Sequence, residues 1–149
     1  MNPNIKFSEG HAILATLDPV SQSAATVNTG WVSMALFHSL VAVIGTGVLG
    51  ASATLDAKLQ QATSAAGAGV KDITGKALTQ IVKASGDNKQ AMIELRDTEL
   101  DVNNGFAFVR LQITVGTAAS LVNAMLIGFS PVYQTAVPYD QAGVVQIVG

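Results

Sequence analysis

FVRLQITVG, residues Phe108–Gly116, is the stretch of sequence that decides the fold. Its odd-numbered positions from 109 to 115 are aliphatic, whereas the even-numbered positions from 110 to 114 are polar. Because successive side chains of a β-strand point to opposite faces, this period of two predicts a strand with one buried face and one solvated face. The preceding Asn103-Asn104-Gly105 is a turn signal, since Asn-Gly readily adopts positive φ.

Similar patterns extend outward from this strand in both directions. Residues 54–60 alternate in the same way, and residues 37–44 form an aliphatic, β-branched run that ends at Gly45. Further short strands are predicted at residues 70–73, 77–82, 91–95 and 121–127. About seven short strands separated by turn residues indicate a sandwich or a barrel. The sequence therefore predicts an all-β fold, a β-sandwich of jelly-roll-like type.

The two ends of the chain lack this regular pattern. Residues 1–30 and residues 131–149 carry the four prolines and several polar turns, although residues 144–148 look like a short strand. We therefore predict an N-terminal arm over 1–30, a β-sandwich domain over 31–130 and a C-terminal arm over 131–149. Arms of this kind are expected to lie on a neighbouring subunit.

Composition points to a surface that other molecules cover. Of 149 residues, 49% are hydrophobic and only 12% charged, the mean hydropathy is +0.41 and the net charge is −2. A typical soluble domain has about 25% charged residues. Residues 31–51 have the length of a membrane span, but polar residues interrupt them and no Lys or Arg flanks them closely, so no membrane is expected. No basic stripe favours nucleic acid, and no cysteine is present.

Residues 45–50, Gly-Thr-Gly-Val-Leu-Gly, match the GxGxxG pattern of dinucleotide-binding proteins after an apolar run. Residues 51–66 also fit one face of a helix, and Asp72 lies where a ribose-binding carboxylate belongs. However, no second helix is predicted after Asp72, and glycine is common in the chain. The favoured interpretation is a glycine-rich hairpin or bulge. A small nucleotide-binding protein that uses Gly45, Gly47 and Gly50 is kept as an alternative.

The remaining polar residues do not form a reactive constellation. His38 lies within an apolar run, and neither it nor His11 has a metal-ligand spacing. Residues 97–101 contain three acids without the glycine of a calcium loop, which favours a solvated turn. Trp31 is interpreted as a core-edge residue or a surface contact, and Arg110 as an exposed residue or an intersubunit ion pair. No catalytic, cofactor-binding or metal-binding residue is assigned, and no enzyme activity is expected.

The order of segments resembles small structural proteins of tailed-phage head modules, some of which are capsid decoration or cement proteins. The resemblance spans roughly residues 28–133. It rests on NTGWV at 28–32, ATLDAKLQQA at 53–62, VKDITG at 70–75, FAFVRLQITVG at 106–116, and residues 124–128 with Tyr133. The resemblance implies that 55–62 and 108–115 are core strands of a sandwich and that the chain has no catalytic residue.

The function implied by the resemblance is that of a virion subunit that binds and stabilises the outside of a phage head shell. Its expected partners are the major capsid protein and further copies of itself, with a trimer as one such state. It would be synthesised in the cytoplasm of a bacterial host and reside on the outer surface of the capsid. A tail protein or another minor virion component is the alternative within the same class.

Overall fold

The computed structural model describes residues 4–133 and 135–149 and consists of two antiparallel sheets packed face to face. The strands are β1 (His11–Gln22), β2 (Thr26–Asn28), β3 (Val32–Ser33), β4 (Phe37–Thr46), β5 (Thr54–Ala62), β6 (Lys71–Ala77), β7 (Ile81–Val82), β8 (Gln90–Arg96), β9 (Phe108–Gly116) and β10 (Ser120–Pro131). Two one-turn helices, α1 (Phe7–Gly10) and α2 (Lys83–Gly86), and three 3₁₀ turns, Asp97–Glu99, Val102–Asn104 and Val137–Tyr139, complete it.

The strand order identifies the topology. Sheet A has the order β1-β10-β4-β8, and sheet B has the order β2-β9-β5-β6, with β3 also pairing with β9 and β7 with β5. If β2 and β3 count as one strand, and β6 and β7 as another, the orders become 1-8-3-6 and 2-7-4-5. This interleaving of early and late strands is that of a jelly roll, in which eight strands form two sheets. The predicted all-β, jelly-roll-like sandwich is confirmed.

The core lies between the sheets and is built by the alternation seen in the sequence. In β9 the odd-numbered positions from 109 to 115 are buried, while the intervening residues are partly exposed. One cluster joins both sheets, with Leu40, Ile44, Leu95 and Leu126 from sheet A and Leu55, Leu59, Leu111 and Ile113 from sheet B. Removal of these side chains from water is the main favourable contribution to folding.

Several predicted segments agree with the structure, and others do not. Of the strands predicted at 70–73 and 77–82, β6 extends over 71–77 and β7 over 81–82 only, with residues 78–80 outside any strand. Strands β4, β5, β8, β9 and β10 cover the runs expected at 37–44, 54–60, 91–95, 108–115 and 121–127, and Gly105 has the positive φ of 81° expected for its turn. Residues 51–66, for which a helix was also considered, contain β5 instead. The strand-like end predicted at 144–148 is wrong, because no strand forms there.

The predicted limits of the domain and its arms stay a prediction, but the segment assigned to the N-terminal arm contains strands. His11–Gln22 pairs with β10 as an edge strand of sheet A, and Thr26–Asn28 pairs with β9. Pro19, which favoured an arm, lies where the β1–β10 register shifts between Leu17 and Val20. Edge strands and bulges tolerate proline because its missing N–H is not required there.

Candidate assembly surface

The outer face of sheet A carries contiguous apolar side chains. Strand pairing places Ile13, Ile127 and Val41 in one row across the sheet, and places Met125, Val43 and Met92 in the next row. We call these six residues the apolar face. Most of their neighbours along each strand are buried, which shows that these side chains point away from the core. Met92 is 65% exposed, and the other five are partly exposed.

Charge is nearly excluded from this face. The two central strands, β4 and β10, contain no Asp, Glu, Lys or Arg. Glu94 and Arg96 pair with Val41 and Ser39 and lie on edge strand β8, at the rim. At one end His11 is stacked between the rings of Phe7 and Phe129, with centroid distances of 4.3 and 5.9 Å. The face therefore offers apolar contact with a polar rim, as buried parts of protein interfaces do.

One edge of sheet A is covered by the C-terminal part of the chain. Residues 136–141, here called the strap, run beside β1. The Ala136 N–H donates to the Glu9 carbonyl (2.8 Å), the Ile13 N–H donates to Asp140 Oδ1 (2.7 Å), and the Gln141 N–H donates to the Ile13 carbonyl (2.8 Å). The strap thus satisfies backbone groups that an open strand edge would present to other chains.

Apolar contacts hold the strap against the domain. Ala136 is fully buried together with Phe37 and Ala12, and the Tyr139 ring packs edge-on against Phe37 at 5.4 Å. Asp140 Oδ2 is buried without a hydrogen-bond partner in the described part of the chain. The C-terminal arm predicted to lie on a neighbour therefore lies, over these residues, on its own domain.

A lysine lies at the other edge of sheet A, beside β8. Lys76, from β6 of sheet B, donates to the Glu94 carbonyl of β8 (2.8 Å) and forms an ion pair with Glu99 (2.7 Å). A lysine at an edge strand discourages edge-to-edge pairing, because adding a strand would bury its charge. Sheet A is thus covered at Ile13 on one edge and at Glu94 on the other, whereas its apolar face keeps Met92 exposed and the other five side chains partly exposed.

The glycine pattern at 45–50 does not form a phosphate site. Gly45 lies within β4, and the segment leads into strand β5 rather than into a helix. Its amides are already used: the Gly47 N–H donates to the Leu121 carbonyl, the Leu49 N–H to Asp87 Oδ1, and the Gly50 N–H to Ser120 Oγ. A phosphate would have to displace these acceptors, one of which is a carboxylate. The strand–turn–helix on which the nucleotide-binding alternative depends is not formed at residues 45–62.

Close packing explains the glycines instead. A Cβ at Gly47 would lie 2.8 Å from Leu121 Cβ, and a Cβ at Gly50 would lie 2.5 Å from the Ala119 carbonyl oxygen. At Gly45 a Cβ would lie 2.4 Å from Asn123 Oδ1. Each glycine leaves room for residues 118–123, which pass close by. The predicted hairpin or bulge is wrong, because the segment joins β4 of sheet A to β5 of sheet B and the register of β4 is continuous.

The outer face of sheet B is polar and internally bonded. Gln60 Oε1 accepts hydrogen bonds from Arg110 Nε (3.0 Å) and Nη2 (2.9 Å), and Gln60 Nε2 donates to Asp72 (2.8 Å). The Arg110 guanidinium also lies over the Trp31 ring, 4.7 Å from its centroid. Arg110 and Trp31, for which intersubunit roles were considered, thus contact each other within one subunit.

The acidic group at 97–101 is divided among separate partners. Asp97 pairs with His38 Nδ1 (2.8 Å), Glu99 pairs with Lys76, and Asp101 forms an ion pair with Lys71. Within residues 4–133 and 135–149, no three potential metal-ligating side chains lie close enough to hold an ion. The solvated-turn interpretation agrees with the 3₁₀ turns found there.

Four exposed or partly exposed carboxylates share one arrangement, in which a lysine donates to each. A hydrogen bond from Lys58, helped by Gln60, lowers the pKa of Asp72, and one from Lys76, helped by the Arg96 N–H, lowers the pKa of Glu99. Lys83 and the Leu49 N–H lower the pKa of Asp87, and Lys71 and Asn104 lower that of Asp101. We call these four residues the lysine-paired carboxylates.

Comparison with known proteins gives likenesses of architecture only. No family model and no curated protein matches the chain. A cowpea mosaic virus protein from an empty virus-like particle is 10% identical, with a TM-score of 0.46 over 91% of this chain and 88% of that one. A protein of the Triatoma virus empty capsid is 10% identical, with a TM-score of 0.44 over 86% and 94% of the two chains. A carbohydrate-binding module, CBM4, is also 10% identical, with a TM-score of 0.45 over 80% and 71%.

The jelly-roll assignment therefore depends on the strand order of the chain itself. Among the described residues, no helix is both long enough and apolar enough to span a bilayer.

Proposed function

We propose that the chain is a structural subunit of a virion, and that it binds and stabilises the outer surface of a tailed-phage head as a decoration or cement protein. The observation that carries this proposal is the apolar face, an uncharged surface on the two central strands of sheet A. Contiguous apolar patches on a protein surface often mark protein contacts. The role requires contact area and no reactive group.

Two further features support an assembly role. The charged fraction of 12% is low for a free domain and fits one whose surface is covered by partners. Many weak contacts, repeated over a shell, add up through avidity to stable attachment. The proposed partners are the major capsid protein and further copies of the chain, with a trimer among the possible states. The proposed place of synthesis is the cytoplasm of a bacterial host.

Location in particles is the first test. Particles released from cells that carry the gene are purified by density gradient, and antibody against the chain is detected by immunogold electron microscopy. The proposal expects gold on the outside of heads. Gold confined to tails would support the alternative of a tail protein or other minor component. A chain that stays at the top of the gradient, away from all particles, would refute a virion role.

A binding assay then tests the surface. Heads that lack the chain are mixed with purified protein, and bound protein is measured after sedimentation. Val43→Asp places a charge in the centre of the apolar face and should abolish binding. Val82→Asp is the matched control, because Val82 is 40% exposed on β7 of sheet B. Equal binding by both variants would show that attachment to heads does not depend on the apolar face.

A further inference from the structure

The last eight residues form an apolar segment that the domain does not use. Residues 142–149, here called the tail, read AGVVQIVG and contain no charged side chain. Val145 is 95% exposed, Val148 is 86% exposed and Ile147 is 47% exposed. Such β-branched residues favour strands, yet the tail forms none in the single chain. An isolated extended segment has no second strand or apolar surface to pair with.

The tail starts at a fixed place. The strap holds Gln141 against β1, where the Gln141 N–H donates to the Ile13 carbonyl and Gln141 Nε2 donates to Thr16 Oγ1 (3.1 Å). A turn follows, closed by the Val144 N–H and the Gln141 carbonyl (3.0 Å). The end of the tail then lies beside Lys6 of the same chain, and Val144 is partly buried. The strap therefore fixes the start of the tail at the β1 edge of the sheet that carries the apolar face.

We propose that the tail of one copy lies on the apolar face of a second copy, and that the exchange is reciprocal, so that two copies are joined. The tail has no charged side chain and the apolar face has charges only at its β8 rim, so the centre of the contact buries no unpaired charge. Because both edges of sheet A are partly occupied, its outer face is the surface that an extended segment can bind. This inference rests on the proposed assembly role and specifies how copies of the chain meet, so that Val43→Asp would reduce attachment to heads by separating the copies.

The dimensions agree with a reciprocal arrangement. Four strands about 4.8 Å apart and seven residues of about 3.4 Å each make the receiving face roughly 19 by 24 Å. An extended tail of eight residues is about 26 Å long, and with a width of about 10 Å it covers roughly 260 Å². One tail on one face therefore buries about 500 Å² in total, whereas two reciprocal tails bury about 1,000 Å². Specific interfaces start at about that size.

Sedimentation of the purified chain tests the inference. The full chain is compared with a version that ends at Gln141, which keeps the strap and loses only the tail. The full chain should sediment as a dimer or larger oligomer, and the shortened chain as a monomer. Val145→Asp with Val148→Asp should weaken association by about 100-fold or more. Val82→Asp should leave association unchanged, and far-UV circular dichroism verifies that each variant is folded.

A peptide of residues 142–149 supplies the second measurement. Labelled peptide should bind the shortened chain and should not bind the shortened chain that carries Val43→Asp. Equal sedimentation of full and shortened chains would overturn the inference, as would a full chain that stays monomeric because its tail folds back on its own face. Since these measurements use only purified protein, their failure would leave the location of the chain in virions untested and the virion proposal intact.

Discussion

Asp140→Ala should loosen the C-terminal strap and lower the stability of the whole domain. Asp140 Oδ1 accepts the Ile13 N–H at 2.7 Å, which ties the strap to β1 across 127 residues of sequence. A hydrogen bond to a charged group contributes about 1.5–3 kcal/mol. The second oxygen, Oδ2, is buried without a partner among the described residues, and its desolvation offsets part of that gain. We therefore expect a net loss of about 1–2 kcal/mol in the free energy of unfolding.

Urea unfolding and amide exchange together measure this effect. In Asp140→Ala, the unfolding midpoint should fall and the Ile13 and Gln141 amides should exchange faster. Asp140→Asn keeps one acceptor oxygen and should lose less than the alanine variant, and Asp18→Ala is the control for removing an exposed aspartate from β1. An alanine variant within about 0.5 kcal/mol of the original chain, with unchanged exchange at Ile13, would show that the strap does not depend on this bond.

Three further predictions test the core, the glycine loop and the ion pairs. Leu111→Ala removes a fully buried side chain and should lower the free energy of unfolding in urea by about 3 kcal/mol. Gln112→Ala, on the outer side of the same strand, should lower it by less than about 1 kcal/mol. Similar losses for the two variants would refute the assigned faces of β9. Gly50→Ala should cost about 1–3 kcal/mol because its Cβ would meet backbone, while Gly30→Ala, with nothing within 4 Å, should be neutral; a neutral Gly50→Ala would contradict the close packing. The lysine-paired carboxylates have lower pKa values in the folded chain than in the unfolded chain, so the stability they contribute is present above the unfolded values and is lost as the pH falls through the folded values. The urea midpoint should therefore drop between about pH 5 and 3, and the drop should be smaller in high salt. A midpoint that stays constant over this range would contradict these pairs.

Local alternation was enough to predict the strands that face solvent on one side. In β9 and β5 the buried and exposed positions follow the sequence pattern residue by residue over most of each strand. The sequence does not predict strand β1, because Asp18 and Pro19 are unfavourable in strands. Pairing with β10 nevertheless holds this edge strand in register. That pairing joins residues about 100 positions apart, and such distant partners leave no periodic signal in either segment.

The sequence predicts that part of the surface is covered by partners, but it does not show which residues form that surface. Low charge indicated a covered surface, but β4 is apolar on both faces, so its sequence does not distinguish Val41 and Val43 from the buried Leu40 and Ala42. Only the position of β4 in the centre of sheet A decides which side meets sheet B. The partners of Arg110 were hidden for the same reason, because Gln60 lies opposite it on β5 and Trp31 belongs to another segment.

The protection of the sheet edges argues for assembly through faces and tails rather than through open strand edges. A chain with 12% charged residues has little charge to keep copies apart, so an open edge on sheet A would invite uncontrolled strand addition. The strap occupies the β1 edge at Ile13, and Lys76 places a charge beside β8 at Glu94. The apolar face has no such protection, although a single lysine on β4 or β10 would have supplied it. The apolar face of sheet A, beside two strand edges that are partly occupied, is best explained as the contact for a specific partner segment.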